Sequence, residues 1–246
     1  MRTHFIVPNW PAPKQVKALT TCRNGGVSVG AYSSFNLARH VNDDATAVTR
    51  NREALVAELE LPADPVWLDQ VHGVDVVELN QLNRRTTSQA DASLTRAQGP
   101  VCAVLTADCL PVLFCKQDGS AVAAVHAGWR GLLAGVIEKT IEALGDTEQI
   151  LAWLGPAIGP GSFEVGTEVK EAFVKKNTVM QQAFRQTDKT HHLADLYALA
   201  RMTLIQCGVK RIYGGEHCTY NEADKFYSYR REPITGRMVS LIWLQP

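Results

Sequence analysis

Between residues 101 and 125 the chain is almost wholly apolar, yet it is interrupted too often to run as one element. Val101-Cys-Ala-Val-Leu-Thr106 meets the break Ala-Asp-Cys109, Leu-Pro-Val-Leu-Phe-Cys115 follows, and Asp118-Gly119 turns the chain into Ala121-Val-Ala-Ala-Val125. Runs this short, bounded by turn residues, read as buried strands; a membrane helix needs about 18 uninterrupted apolar residues. No stretch of the chain meets that requirement. The first apolar run ends at Pro8, too soon for a signal-peptide core, so a cytoplasmic location is expected.

Around this centre the periodicity changes. Residues 46–60 have helical character and are stopped by Pro62. Residues 66–79 read as two extended pieces interrupted at His72-Gly73. Leu133, Val136, Ile137, Ile141 and Leu144 keep the spacing of one buried helix face, ending at Gly145. Residues 150–154 form another strand, and a second amphipathic helix runs from about Asp195 to Gly208. At the C-terminus, 226–230 and 238–244 flank the turn residues Pro233-Ile-Thr-Gly236 and read as a hairpin. Strands and helices interleave without a regular βαβ rhythm. The expected fold is α+β, a single domain over residues 1–246 with mixed β-sheets flanked by helices. The nearest thing to a linker is the polar stretch 80–89.

With 46% hydrophobic and 20% charged residues, the chain can bury a substantial core, which excludes collagen-like and disordered classes. Its 25 basic and 25 acidic residues cancel. No uniform field exists to hold a nucleic acid or an anionic membrane, and neither partner is expected. The six cysteines include no Cys-x-x-Cys pair and read as reduced thiols.

Three candidate metal ligands each stand where an apolar run breaks: His72, Cys109 and His126. Two imidazoles and one thiolate leave a fourth position open, as catalytic zinc requires. The spacing alone fits no local metal motif, and a buried cysteine with two hydrogen-bonded histidines satisfies the same pattern. Cys109 and His126 also suffice for nucleophilic catalysis, with the thiolate attacking a carbonyl as in a hydrolase or amidase. A metal-binding module without turnover is a third reading. Arg130 follows His126 on the same glycine corner, and Arg23 lies in another polar glycine turn; guanidinium forks there suit phosphate or carboxylate oxygens. Arg230 and Arg231 point to opposite faces if 226–230 is a strand, so one of them reaches a given pocket. Asp108 orients a ligand or moves a proton, or else caps a turn. Asn36 and His40 share a polar segment able to line a site.

Read in order, the segments Thr21-Cys-Arg-Asn-Gly-Gly-Val-Ser28, Ser34-Phe-Asn-Leu37, Gln70-Val-His-Gly73, Ala90-Asp-Ala92, Thr106-Ala-Asp-Cys-Leu-Pro-Val-Leu113, Val125-His-Ala-Gly-Trp-Arg-Gly131, Gly155-Pro-Ala-Ile-Gly-Pro160 and Tyr227-Ser-Tyr-Arg-Arg231 resemble the YfiH family, also known as the laccase-domain family. The resemblance spans nearly the whole chain. It implies zinc on His72, Cys109 and His126, and phosphorolysis of adenosine, inosine, guanosine and methylthioadenosine with adenosine deamination as a further activity. Purine nucleosides and phosphate would then be the partners; for them the residues themselves offer Asp108 and Cys109 as catalytic candidates and Arg23, Asn36, His40, Arg130 and Arg230 as substrate- or phosphate-binding ones. The phenol-oxidase reading attached to the laccase label fits less well. A multicopper centre is built from His-x-His pairs, and this chain has seven histidines and no such pair. A single His2Cys site can still take copper in vitro, because copper exceeds zinc in affinity.

Overall fold

The computed structural model describes residues 5–81 and 89–245. Its apolar centre divides between two sheets. One sheet contains β1 (Phe5–Ile6), β2 (Val16–Thr21), β3 (Pro65–Trp67), β6 (Val101–Thr106) and β14 (Met238–Leu244), in the order β1-β2-β14-β6-β3. The other contains β4 (Val76–Leu79), β5 (Ala92–Thr95), β7 (Leu110–Lys116), β8 (Val122–Ala127), β9 (Ile150–Leu154) and β13 (Arg211–Gly214), in the order β13-β9-β7-β8-β5-β4. Both are mixed: β3 runs parallel to β6, and β4 to β5, beside antiparallel neighbours. The expected α+β class with mixed sheets is what the chain adopts. Much of the linker-like stretch 80–89 lies outside the described residues.

The two sheets stack face to face, and strand periodicity explains why their central members are apolar throughout. Cys102 and Val104 of β6 point between the sheets, where they meet Leu113 and Cys115 of β7 and Ile242 of β14. Val101, Ala103 and Leu105 point the other way, onto Leu55 of α1 (Ala45–Glu58). Val112 and Phe114 likewise leave the sandwich for the far side of the second sheet. There they pack with α2 (Trp129–Ala134), α3 (Val136–Leu144), α4 (Thr167–Lys176) and α5 (Leu196–Gln206). Each central strand is therefore buried on both faces. A small sheet of β10 (Glu164–Gly166), β12 (His191–Ala194) and β11 (Phe184–Gln186) completes this side.

Local signals set α1 and α5 where the sequence predicts them, whereas α4, which has no side-chain cap, is not among the expected helices. Asp44 caps α1 by accepting from the Ala47 amide, and Asp195 caps α5 by accepting from Ala198. The helix expected to end at Gly145 is two helices, because Gly135 at φ 109° takes the left-handed conformation and breaks it after Ala134.

The expected C-terminal hairpin does not form. β14 already pairs with β2 on one edge and β6 on the other, so it has no free edge for residues 226–230. That segment instead folds as turns around the buried Phe226 and Tyr227. The Arg231 guanidinium donates to the carbonyls of Thr219, Tyr220 and Phe226, and the Tyr227 hydroxyl donates to the Tyr32 carbonyl. Arg231 is thereby committed to the backbone, for a reason unrelated to strand faces.

Candidate metal centre

The crossing between sheets creates the first corner of the site. After β6 the chain passes through Ala107, Asp108 and Cys109 into β7, with Asp108 in the left-handed region at φ 88°. Its carboxylate pins the turn: Oδ1 accepts from the Thr219 hydroxyl at 2.7 Å and Oδ2 from the Arg230 amide at 2.6 Å. Of the roles open to Asp108, these bonds make the turn cap visible: the carboxylate ties the Cys109 corner to Thr219 and to the backbone of Arg230.

His72 occupies the loop between β3 and β4, also left-handed at φ 60°. A non-glycine residue held there costs roughly 1–3 kcal/mol unless its surroundings enforce it. Asp91 enforces it. Its carboxylate accepts from three consecutive amides, those of Val71 at 3.1 Å, His72 at 2.9 Å and Gly73 at 2.6 Å. Gln70 fastens the same loop to β6 by exchanging two side-chain hydrogen bonds with the backbone of Leu105.

His126, near the end of β8, is buried, and its Nδ1 meets Asp91 Oδ1 at 2.7 Å. Nδ1 is thereby engaged and Nε2 is left for a metal, the arrangement in which a carboxylate orients a ligand histidine. The rings of His72 and His126 lie edge to face with centroids 4.8 Å apart, and Cys109 Sγ is 3.9 Å from His72 Nε2. One ligand atom from each of the three residues lies within 4.8 Å of the other two. Zinc–nitrogen bonds of about 2.0 Å and zinc–sulfur bonds of about 2.3 Å span at most about 4.3 Å between two donors, so the ligand atoms need only draw together slightly to share one ion. Gly128 keeps the space clear: a Cβ there would lie 2.9 Å from His72 Cδ2 and 3.0 Å from Cys109 Sγ.

The charges of this cluster are strongly coupled. Burial pushes the Cys109 thiol up, but the neighbouring His126 and His72 outweigh burial and bring it down to about 6. Burial likewise opposes protonation of His126, while the Cys109 thiolate and Asp91 raise it to about 9. Burial disfavours the Asp91 charge, yet His126 and the loop amides hold it below the ordinary carboxylate range. Before any metal binds, Cys109 is a thiolate at neutral pH, the form that ligates.

These three residues border a pocket of about 760 Å³. Arg130, Arg230 and Arg237 supply its cationic groups, His40 an imidazole, and Trp129, Phe163 and Tyr229 its aromatic rings. The Arg130 guanidinium lies 4.3 Å from the Trp129 ring centre, and that of Arg230 lies 5.4 Å from Phe163. Two expected site residues are elsewhere. Arg23 donates to the carbonyls of Ser33 and Ala223 and lies over Tyr227, outside the pocket. Asn36 is fully buried, with its amide on the Ala38 carbonyl and Asp43; its Oδ1 accepts from the amides of Ala38 and Arg237. It therefore holds the backbone of a pocket residue without lining the pocket.

Sequence reasoning assigned no role to Asp91 and Arg237. Asp91 had a signal, a lone acid between alanines in Ala90-Asp-Ala92; Arg237 had none beyond the glycine before it.

A family model described as "Multi-copper polyphenol oxidoreductase laccase" matches residues 17–245, and the chain belongs to that family. The resemblance to YfiH proteins also stands. The chain is similar to purine nucleoside phosphorylase YfiH of Escherichia coli K12, with 54% identity over 242 residues covering 98% of each protein. It is similar to purine nucleoside phosphorylase PA4543 of Pseudomonas aeruginosa, with 49% identity over 243 residues covering 98% of each. The crystal structure of Neisseria meningitidis protein NMB0706 superposes with a TM-score of 0.93 at 50% identity, covering 98% of this chain and 99% of that one. YlmD from Geobacillus stearothermophilus superposes at 0.87 with 29% identity, covering 95% and 93%. Among the described residues, the one cluster of potential metal-binding side chains is His72, Cys109 and His126, which suits one ion and no multinuclear copper centre.

Asp91→Asn should weaken metal binding by about 10- to 100-fold, measured by competition with a coloured chelator; unchanged affinity would show that Asp91 does not orient the ligands. In metal-free protein, alkylation of Cys109 by iodoacetamide should stay fast at neutral pH and fall by half near pH 6, because the depressed pKa keeps the thiolate above that point. Half-loss near an ordinary thiol pKa of about 8.5 would contradict the coupling.

Proposed function

We propose that the chain is a zinc-dependent purine nucleoside phosphorylase, releasing free base and ribose 1-phosphate from adenosine, inosine or guanosine and from methylthioadenosine, with adenosine deamination as a side activity. The observation that carries this reading is the convergence of His72, Cys109 and His126 at the wall of a pocket bordered by both aromatic and cationic side chains. The names of the similar proteins support it. Two imidazoles and a thiolate with one side open to the pocket are the donor set of catalytic zinc, which supplies Lewis-acid charge to substrate oxygens when bound.

The chain's own residues provide for the rest. Trp129 and Phe163 offer flat apolar faces to a purine, and Arg130 and Arg230 beside them offer donors to its polar edge. Asp108 fixes the backbone from which Arg230 projects. In the reaction an oxygen lone pair of hydrogen phosphate forms the bond to C1′ of ribose, while the electron pair of the C1′–N9 bond leaves with the purine. The proton given up by the phosphate passes through solvent to the purine nitrogen. Holding both reactants in line supplies much of the acceleration. Deamination of adenosine would add water at C6 and release ammonia, giving inosine.

A second reading retains one specific support: the thiolate of Cys109 beside a protonated His126 is the ground state of a cysteine nucleophile, as in a hydrolase or amidase. Inosine supplied with and without phosphate, before and after exhaustive chelation, separates the two. Phosphorolysis requires hypoxanthine and ribose 1-phosphate in equal amounts only with phosphate, loss on chelation and recovery with zinc. Base release that ignores phosphate contradicts it, and turnover that survives chelation favours the nucleophile.

A further inference from the structure

The main pocket does not end at its cationic rim. A second recess of about 360 Å³ shares His40 and Arg237 with it and is otherwise bordered by Tyr32, Val41, Asn42, Pro233, Ile234 and Thr235. Trp129, Arg130, Phe163 and Arg230 border the main pocket alone. Arg130 and Arg230 lie over the rings of Trp129 and Phe163; Arg237 lies 5.7 Å from the Tyr229 ring centre and, with His40, stands where the two cavities meet.

Arg237 is built into its place. Its amide donates to Asn36 Oδ1 at 3.0 Å, and Nη1 donates to the carbonyls of Thr235 and Gly236 at 2.9 and 3.0 Å. Among the described residues no acceptor is found for its Nε or Nη2. No carboxylate forms an ion pair with it there either. Burial and the nearby Arg237 and Arg52 press the His40 pKa down, against a smaller opposing pull from Asp69. Burial presses the Arg237 pKa below its ordinary value, against the opposing pull of Cys109 and Asp108, which border the same pocket. A guanidinium with spare donors, beside an imidazole that an incoming anion would help to protonate, suits an anion at the mouth of a small recess.

We propose that Arg237 and His40 form the subsite for inorganic phosphate, with the purine against Trp129 and Phe163. The assignment rests on the phosphorylase reading. It satisfies the in-line requirement, because the attacking oxygen then approaches C1′ from the side away from the departing base, with the electron and proton transfers written above. It also gives the recess a use: an anion of this size needs far less room than a nucleoside, and the recess lets it enter beside a nucleoside already seated.

The test is initial-rate kinetics on zinc-loaded enzyme with phosphate and inosine varied independently, for wild type, Arg237→Met, Arg237→Lys and His40→Ala. Loss of a charge-assisted contact should raise the phosphate KM about 10- to 100-fold in Arg237→Met, with the inosine KM changed less than about threefold. Arg237→Lys, which keeps charge without the fork, should fall between. His40→Ala lies on an exposed loop and tests the subsite without threatening the fold; it should raise the phosphate KM by up to about tenfold. If wild type depends on phosphate but neither Arg237→Met nor His40→Ala shifts the phosphate KM, or if the inosine KM rises equally, the subsite is overturned and the phosphorylase reading survives. If wild type releases base without phosphate, that reading itself fails.

Discussion

The Asp91 carboxylate lies out of water at the head of β5 and accepts four hydrogen bonds, three from consecutive amides of the His72 loop and one from the His126 ring. A buried charge without partners is costly, and each abandoned donor costs about 1–3 kcal/mol more, so the carboxylate, loop and ring form one unit. The unit fixes a left-handed backbone at His72 and turns Nε2 of His126 toward the pocket. Two of the three candidate ligands are therefore placed by a side chain that is neither one of the ligands nor part of the pocket lining.

The third ligand is placed by topology. Thr106 ends a strand of one sheet and Leu110 starts a strand of the other, so Cys109 sits where the chain crosses the sandwich. Residues far apart in sequence meet because they lie at strand ends on one rim of stacked sheets. Small side chains let the rim close: Gly128 passes against His72 and Cys109 at a distance that leaves no room for a Cβ. Asp108 completes the arrangement by tying the corner to Thr219 and to the backbone of Arg230. The family description speaks of several coppers, whereas this rim gathers one thiolate and two imidazoles among the described residues.

Much of this was legible in the residues themselves. Pro62 stands beyond the end of α1, Gly145 and Gly208 stand just past α3 and α5, and the apolar runs from 101 to 125 are the strands they promise to be. The candidate ligands were visible as polar interruptions of those runs. Their convergence was not, because strand order is a long-range property, and spacing along the chain carried no trace of it; the resemblance to a known family supplied that step. The C-terminal hairpin failed for the same reason, since local turn chemistry cannot reveal that β14 is flanked on both sides. Arg23 and Asn36 looked like site residues because they are polar side chains in glycine-bearing loops, and such side chains also satisfy loop carbonyls and amides. Arg237 escaped notice because nothing local distinguishes an arginine that borders a cavity from one in solvent.

The claim beneath all of this is that one ion is shared by His72, Cys109 and His126. X-ray absorption at the zinc edge on zinc-loaded protein tests it most directly. A shared ion gives one zinc per chain, with two nitrogen scatterers at about 2.0 Å and one sulfur at about 2.3 Å, and the sulfur shell disappears in Cys109→Ala. A spectrum with no sulfur shell, or one unchanged by removal of Cys109, would contradict it.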